Sequence, residues 1–416
     1  MMHPMPQIPK DDNLKCTPYD LEKPTQAWTR LSELFELEDP LLERTFFLEG
    51  YDFSSNVYVV EDDGFTIIDP GNDYTAFLQF FDLGFDPAQA KRVWVTHGHF
   101  DHAMGVLELA KYKAIREKAA MEVVMHEAGP EELKKNLEEL GFPVRLVRGG
   151  ETLSTGRFQL EVIYTPGHTA DGVCFFHRDS GVLFSGDAVL PHGLSAPDKH
   201  GGGRLDHLLF ALRELLELPV THLLPGHGWP VKDLGKRVVE ASYEEMIKHM
   251  IGAEAEVSCE VAARHLIGKG LLVEALYCAD KALRFQPGDA RALRIKVMCL
   301  NDMGRFEESL VAVSELEALV GTSEDADPVF VKTARGYALM GVGRYAEALD
   351  HFDALLQENP ELKDVQMYKG MALYLSGRQE EALDIEVFQE EFVGRFKEEF
   401  LKKAEARKES AQNPSR

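Results

Sequence analysis

Up to about residue 235, apolar residues come in short runs rich in Val, Ile, Phe and Tyr. The runs are NVYVV (56–60), FTIID (65–69), RVWVTH (92–97), MEVVMH (121–126), FQLEVIYTPGH (158–168), VCFFH (173–177) and VLFSGD (182–187). Each is bounded by Gly, Pro or Asp, and together they predict β-strands. Between them, AMGVLELAKYKAIREKA (103–119) and RLDHLLFALRELLEL (204–218) repeat their apolar positions at helical spacing. Strands interleaved with helices predict an α/β or α+β domain. Beyond about residue 236 the strand pattern disappears and the chain reads as helical throughout. The expected organisation is an N-terminal extension (1–44), a catalytic-type domain (45–250) and an all-α helical domain (251–416).

The helical part repeats. KGLLVEAL begins at Lys269, MGRFEESL at Met303, VGRYAEAL at Val342 and SGRQEEAL at Ser376, so Gly270, Gly304, Gly343 and Gly377 lie 34, 39 and 34 residues apart. Glu274, Glu308, Glu347 and Glu381 follow each glycine by four positions, and Leu276, Leu310, Leu349 and Leu383 by six. The five extra residues fall near GTSEDADP, which predicts a longer loop there. A 34-residue period with Gly at the inter-helix turn resembles tetratricopeptide repeats. Such helix pairs bury their apolar faces only by stacking on one another. The charged end, FKEEFLKKAEARKESAQNPSR, reads as a capping helix followed by a disordered tail.

Composition narrows the function. The chain has 416 residues and a formal net charge of −25, which disfavours nucleic acid, because its phosphates would be repelled. Its five cysteines (Cys16, Cys174, Cys259, Cys278 and Cys299) are widely spaced and form no CxxC pair. They predict reduced, mostly buried thiols and a cytoplasmic location. No signal-peptide pattern and no long apolar span is found, so no membrane association is expected.

The densest chemistry follows the run RVWV. THGHFDH places His97, His99, Asp101 and His102 in a loop at a strand end and running into a helix expected to start near Ala103. Imidazole nitrogens and carboxylate oxygens are ligands for zinc, iron and manganese. Four such groups do not complete two sites, and three more follow apolar runs beside glycines: His168 in YTPGHT, Asp187 in LFSGDAV and His227 in THLLPGHGWP.

HxHxDH, GHT, SGD and PGHG, in that order, resemble the metallo-β-lactamase-fold superfamily and within it the glyoxalase II-like hydrolases, over roughly residues 45–235. The resemblance implies an αββα sandwich with the site at one edge. It implies that His97, His99 and His168 bind one metal ion, that Asp101, His102 and His227 bind a second, and that Asp187 bridges them. Asp69, in TIIDPG, matches an aspartate supporting the ligand loop from behind, a role that suits the need to fix ligand tautomers. Two divalent ions are implied, zinc first, with iron or manganese as substitutes.

Two ions about 3.5–4 Å apart can hold a hydroxide between them at neutral pH. Asp101 can orient it or receive its proton. The expected reaction is hydrolysis of an ester, thioester or lactone in a small-molecule substrate, and no serine or cysteine nucleophile is needed. The alternative implied by the resemblance is a persulfide dioxygenase-like oxidoreductase using one iron on His97, His168 and Asp187. Where glyoxalase II has a short helical segment with basic glutathione-holding residues, this chain continues into repeats, so glutathione thioesters are disfavoured. His192, His200 and Arg204, in a loop after Asp187, are candidates for substrate contact. The repeats are candidates for binding a protein partner or a second copy.

Overall fold

A computed structural model describes residues 28–394 apart from 52, 73–76, 78–79, 82–83, 87–88, 117–120, 253–256 and 393. The proposed capping helix and tail beyond residue 394, the extreme N-terminus and Cys16 lie outside the described residues. The chain divides into two compact units, the first ending at Gly252.

The first unit contains two mixed sheets. One has the order β1 (Thr29–Arg30), β2 (Thr45–Leu48), β3 (Val57–Glu61), β4 (Phe65–Ile68), β5 (Ala90–Trp94), β6 (Glu122–His126), β7 (Val144–Val147). Its first four strands are antiparallel and its last four, from β4 onwards, parallel. The second runs β12 (His222–Pro225), β11 (Val182–Gly186), β10 (Val173–His177), β9 (Gln159–Tyr164), β8 (Thr152–Ser154), with only β11 and β12 parallel. Period-two alternation sends successive side chains of one strand into different cores. Val57, Val59, Phe65, Ile67 and Val93 pack on one face of the first sheet, with residues of the helix Phe100–Arg116. Tyr58, Val60, Ile68 and Trp94 pack on the other, against Val162, Phe175 and Phe184 of the second sheet. That second cluster is the interior of the expected sandwich. The helices Leu205–Leu216 and Gly235–Ile251 pack together, the latter also against β12.

Three local readings change. The stretch 1–44 was expected to be an extension, but its described part joins the sandwich. β1 pairs with β2, and Leu31, Phe35, Leu41 and Leu42 enter the inter-sheet core. The first long helix starts at Phe100 rather than near Ala103, so Asp101 and His102 sit in its first turn, where a carboxylate suits the helix dipole. β7 and β8 were missed, because both are outer strands whose solvent-facing residues break the apolar run. The helix Gly235–Ile251 belongs to the first unit, as the expected boundary near 250 places it.

Among the described residues the second unit contains four helix pairs: Cys259–Gly268 with Leu272–Phe285, Ala290–Asp302 with Phe306–Glu317, Pro328–Gly341 with Tyr345–Glu358, and Lys363–Leu375 with Gln379–Leu383. Gly270, Gly304, Gly343 and Gly377 all adopt φ between 73° and 87° at the turn within each pair. That left-handed conformation is open to glycine without penalty. Three of the recurring glutamates are explained by ion pairs to the residue after the glycine: Arg305–Glu308, Arg344–Glu347 and Arg378–Glu381. The expected longer loop is the segment 318–327 before Pro328. Among the described residues, no helix is long and apolar enough to cross a membrane.

Candidate metal centre

Five strand ends converge at one edge of the sandwich. β5 leads into Thr96, His97 and His99, and β9 into His168. β11 leads into Asp187, β12 into His227, and β4 into Asp69. The two sheets are tied there by backbone hydrogen bonds, Val173 N–H to Thr96 C=O (2.8 Å) and Asn56 N–H to Gly226 C=O (2.7 Å), while Gly226 N–H to Gly186 C=O (2.8 Å) extends the pairing of β11 and β12. Glycine is required at 226. A Cβ there would stand 2.4 Å from Asp187 Oδ1 and 2.6 Å from His102 Cε1.

All seven residues expected to ligate come together. His97, His99 and His168 form one group of ligand atoms, and Asp101, His102 and His227 another. Asp187 groups with His97 and His102 between them. His97 Nε2 and His168 Nε2 each lie 3.0 Å from His99 Nδ1. His102 Nε2 lies 3.3 Å from His227 Nε2, and His227 Nε2 is 3.0 Å from Asp101 Oδ2. Asp187 spans both groups, with Oδ2 3.6 Å from His168 Nε2 and 3.7 Å from His227 Nε2.

The outer partners of these rings fix where their protons are. A carboxylate or carbonyl oxygen only accepts. His102 Nδ1–H donates to Asp69 Oδ2 (2.8 Å), His99 Nε2–H to Asp198 Oδ2 (3.1 Å) and His168 Nδ1–H to Ala196 C=O (2.7 Å). Thr96 gives its hydroxyl proton to Asp69 Oδ2 (2.7 Å), so its oxygen accepts from His97 Nδ1–H (3.1 Å). With those outer nitrogens donating, the inner nitrogens of the four rings face one another at 3.0–3.3 Å, and in their neutral forms they would aim lone pairs inward. Lone pairs at that separation repel unless a cation lies among them. Asp187 Oδ1 is buried and makes no hydrogen bond. This donor set fits divalent metal ions.

Electrostatics supports neutral rings at His97 and His168 and favours charge on His102. Burial, then repulsion from His102, holds His97 well below the usual histidine range, and burial also lowers His168. Both are neutral ligands at pH 7. Burial opposes charge on His102, but Asp187 and Asp69 outweigh it and raise its pKa well above normal. Burial works to raise Asp187 and Asp101 too. The surrounding histidines prevail and lower both, Asp187 far below the carboxylate range. Burial pushes the Cys174 thiol in β10 up to about 12, so it is no nucleophile.

Asp69 is 2% exposed and accepts from Thr96 N–H (2.7 Å), Thr96 Oγ1–H and His102 Nδ1–H. Its backbone sits at φ 51°, which aspartate tolerates better than most residues. Of the candidate substrate residues, His192 and Arg204 line a cavity beside the cluster. His200 is exposed and outside that lining, and Arg204 is paired with Asp206 (2.6 Å). Sequence reading missed Asp198 and Ser195 (Oγ 2.8 Å from His168 Nδ1), and Asp171, which accepts from Gly98 N–H (2.8 Å). Each lies far along the chain from the residue it holds, and no local motif marks it.

The family description "Metallo-beta-lactamase superfamily" matches residues 50–227, and "Tetratricopeptide repeat" matches residues 333–390. The chain is 30% identical to the probable metallo-hydrolase YqgX of Bacillus subtilis over 184 residues, covering 41% of this chain and 83% of that protein. It is 30% identical to hydroxyacylglutathione hydrolase of Brucella ovis over 174 residues, covering 40% of this chain and 62% of that enzyme. Among solved structures, ETHE1 from Myxococcus xanthus shares 27% identity over 49% of this chain and 88% of its own, with a TM-score of 0.38.

Proposed function

Since the chain belongs to the metallo-beta-lactamase superfamily, we propose that it is a dinuclear metal-dependent hydrolase of an ester, thioester or lactone. His97, His99 and His168 would hold one divalent ion and Asp101, His102 and His227 the other, with Asp187 available to both. The observation that carries this reading is the convergence of tautomer-fixed inward nitrogens around the unpartnered Asp187 Oδ1. When bound, the ions supply Lewis acidity and an ionised water at neutral pH. Zinc suits the nitrogen-rich donor set, with iron and manganese as substitutes.

The protein's own groups do the rest. Asp69 and Asp198 keep His102 and His99 in the tautomers that face the site. Asp101 Oδ2 lies 3.0 Å from His227 Nε2 and 3.6 Å from His102 Nε2, and its side chain is part-exposed. There it orients the attacking water and takes up its proton. Arg204 and His192 contact substrate from the cavity side, a role His200 does not share. The repeats offer a surface for a protein partner or a second copy.

The test is turnover of a thioester and lactone panel by metal-loaded protein, with metal content measured on the same sample. Hydrolysis abolished by chelation and restored by zinc is expected. One iron per chain with oxygen consumption on glutathione persulfide, and no hydrolysis, would overturn it.

A further inference from the structure

A cavity of about 1020 Å³ opens beside the metal cluster, at the upper end of the size range of ligand pockets, about 300–1,000 Å³. Its walls are the loop 190–197, the start of the helix Leu205–Leu216 and the exposed face of the helix Gly235–Ile251. Leu190, Leu194, Leu205, Leu234, Val238 and Ala241 line it, all half-buried, leaving their apolar surface to the cavity. Its arginines are not free to define an anion site. Arg204 is held by Asp206 at 2.6 Å and Arg237 lies 3.6 Å from Glu240.

The cavity and the cluster share residues. Ser195 and Ala196 line the cavity and are also the outer partners of His168. His192 lines it while lying against Gly228, next to His227. A Cβ on Gly228 would stand 2.3 Å from His192 Nε2. A group reaching from the metals into this space leaves polar ligands and meets aliphatic walls within one residue's span.

Resting on the hydrolase reading, we propose that this cavity takes the aliphatic acyl chain of the substrate, so that the enzyme is selective for medium- and long-chain acyl thioesters or esters. The charged groups that also line it, Lys199, Asp206, Glu245 and the paired arginines, leave the aliphatic residues as the surface an acyl chain covers.

The test compares butyryl and octanoyl thioesters of one leaving group on the metal-loaded full chain. Each buried methylene contributes about fourfold, so four raise kcat/KM by on the order of 10²-fold. Ala241→Trp, filling the cavity, and Val238→Glu, charging it, should each cut the octanoyl-to-butyryl ratio to below tenfold. A ratio on one preparation is insensitive to any loss of folded protein. A flat chain-length profile in the parent enzyme, or a preference that survives both substitutions, overturns the proposal. If neither thioester turns over, calorimetric binding of dodecanoate against butanoate decides the cavity separately, and the thioester and lactone panel decides the hydrolase reading. Tighter dodecanoate binding that Ala241→Trp removes upholds the acyl-chain site, and equal binding of the two acids refutes it.

Discussion

Replacing Asp69 by Asn removes one charge and exchanges one acceptor for a donor, in a site that presents only donors. Thr96 N–H and Thr96 Oγ1–H both point at the carboxylate from 2.7 Å, and His102 Nδ1–H from 2.8 Å. An amide can answer in two ways. With its oxygen towards His102, its NH2 faces the buried Thr96 N–H, and an unsatisfied buried donor costs about 1–3 kcal/mol. With its oxygen towards Thr96 N–H, its NH2 faces His102 Nδ1. The ring proton then moves to Nε2, which no longer offers a lone pair to the metal. Loss of such an outer partner lowers metal affinity about 10–100-fold, or about 1.4–2.7 kcal/mol. The first outcome lowers the melting temperature of the first unit by about 2–4 °C per kcal/mol. The second leaves melting nearly unchanged but weakens the second ion in a competitive chelator titration. Calorimetry and the titration on the same Asp69→Asn preparation cover both. Parent-like values in both would refute the positioning role of Asp69.

Three further outcomes are expected. Gly226→Ala drives a Cβ to 2.4 Å from Asp187 Oδ1, and should reduce bound metal below two per chain by elemental analysis while leaving the melting of the repeat unit unchanged. Asp62 accepts from Arg157 N–H (2.7 Å), Phe158 N–H (3.4 Å) and Thr155 Oγ1–H (2.9 Å). Burial opposes its charge, but these bonds lower its pKa below the usual 3.8. A depressed folded pKa adds stability above the unfolded value that is lost as pH falls through the folded one. The melting gap between parent and Asp62→Asn should therefore be full at pH 6 and close below pH 4; a pH-independent gap would show that the charge is irrelevant. Gly343→Ala places a side chain at φ 81° with no atom within 4 Å of its Cβ, so only backbone strain of about 1 kcal/mol acts. The repeat unit's transition should fall by a few degrees and metal content should not change.

The residues of the histidine–aspartate cluster were legible because metal chemistry admits few residue types and the fold presents them just after apolar strands, where short motifs survive. Their supports were not. Asp198 holds His99 across 99 positions of sequence, and Asp171 holds Gly98 across 73. Both look like ordinary loop aspartates until the loops meet. Strands buried on both faces, such as β3 with four of its five residues buried, announced themselves. β7, buried only at Val147, did not, because half-solvated outer strands lack a continuous apolar run. The glycines of the repeats were legible because a φ above 70° at each inter-helix turn restricts the residue type.

The geometry around His102 bears on whether one or two ions are held. Asp69, Asp101 and Asp187 bring three negative charges to a largely buried site. A single divalent ion on His97, His168 and Asp187 leaves one charge over, which His102 would balance as an imidazolium donating from both nitrogens. On the Nδ1 side it has a donor's geometry, 2.8 Å from Asp69. On the Nε2 side it does not. Asp187 Oδ1 stands off at 3.4 Å and Asp101 Oδ2 at 3.6 Å, both longer than the 2.7–2.9 Å typical of a charge-assisted bond. No carboxylate has closed on Nε2, and His227 Nε2 faces it at 3.3 Å, which suits a second cation and not a proton. The half-exposed His227 allows the decisive substitution with little risk to folding. Parent protein should carry two ions per chain and His227→Ala one, with hydrolysis lost and the His97–His99–His168 ion retained. A parent protein saturated by a single ion, and indifferent to His227→Ala, would instead make His102 the imidazolium of a mononuclear centre.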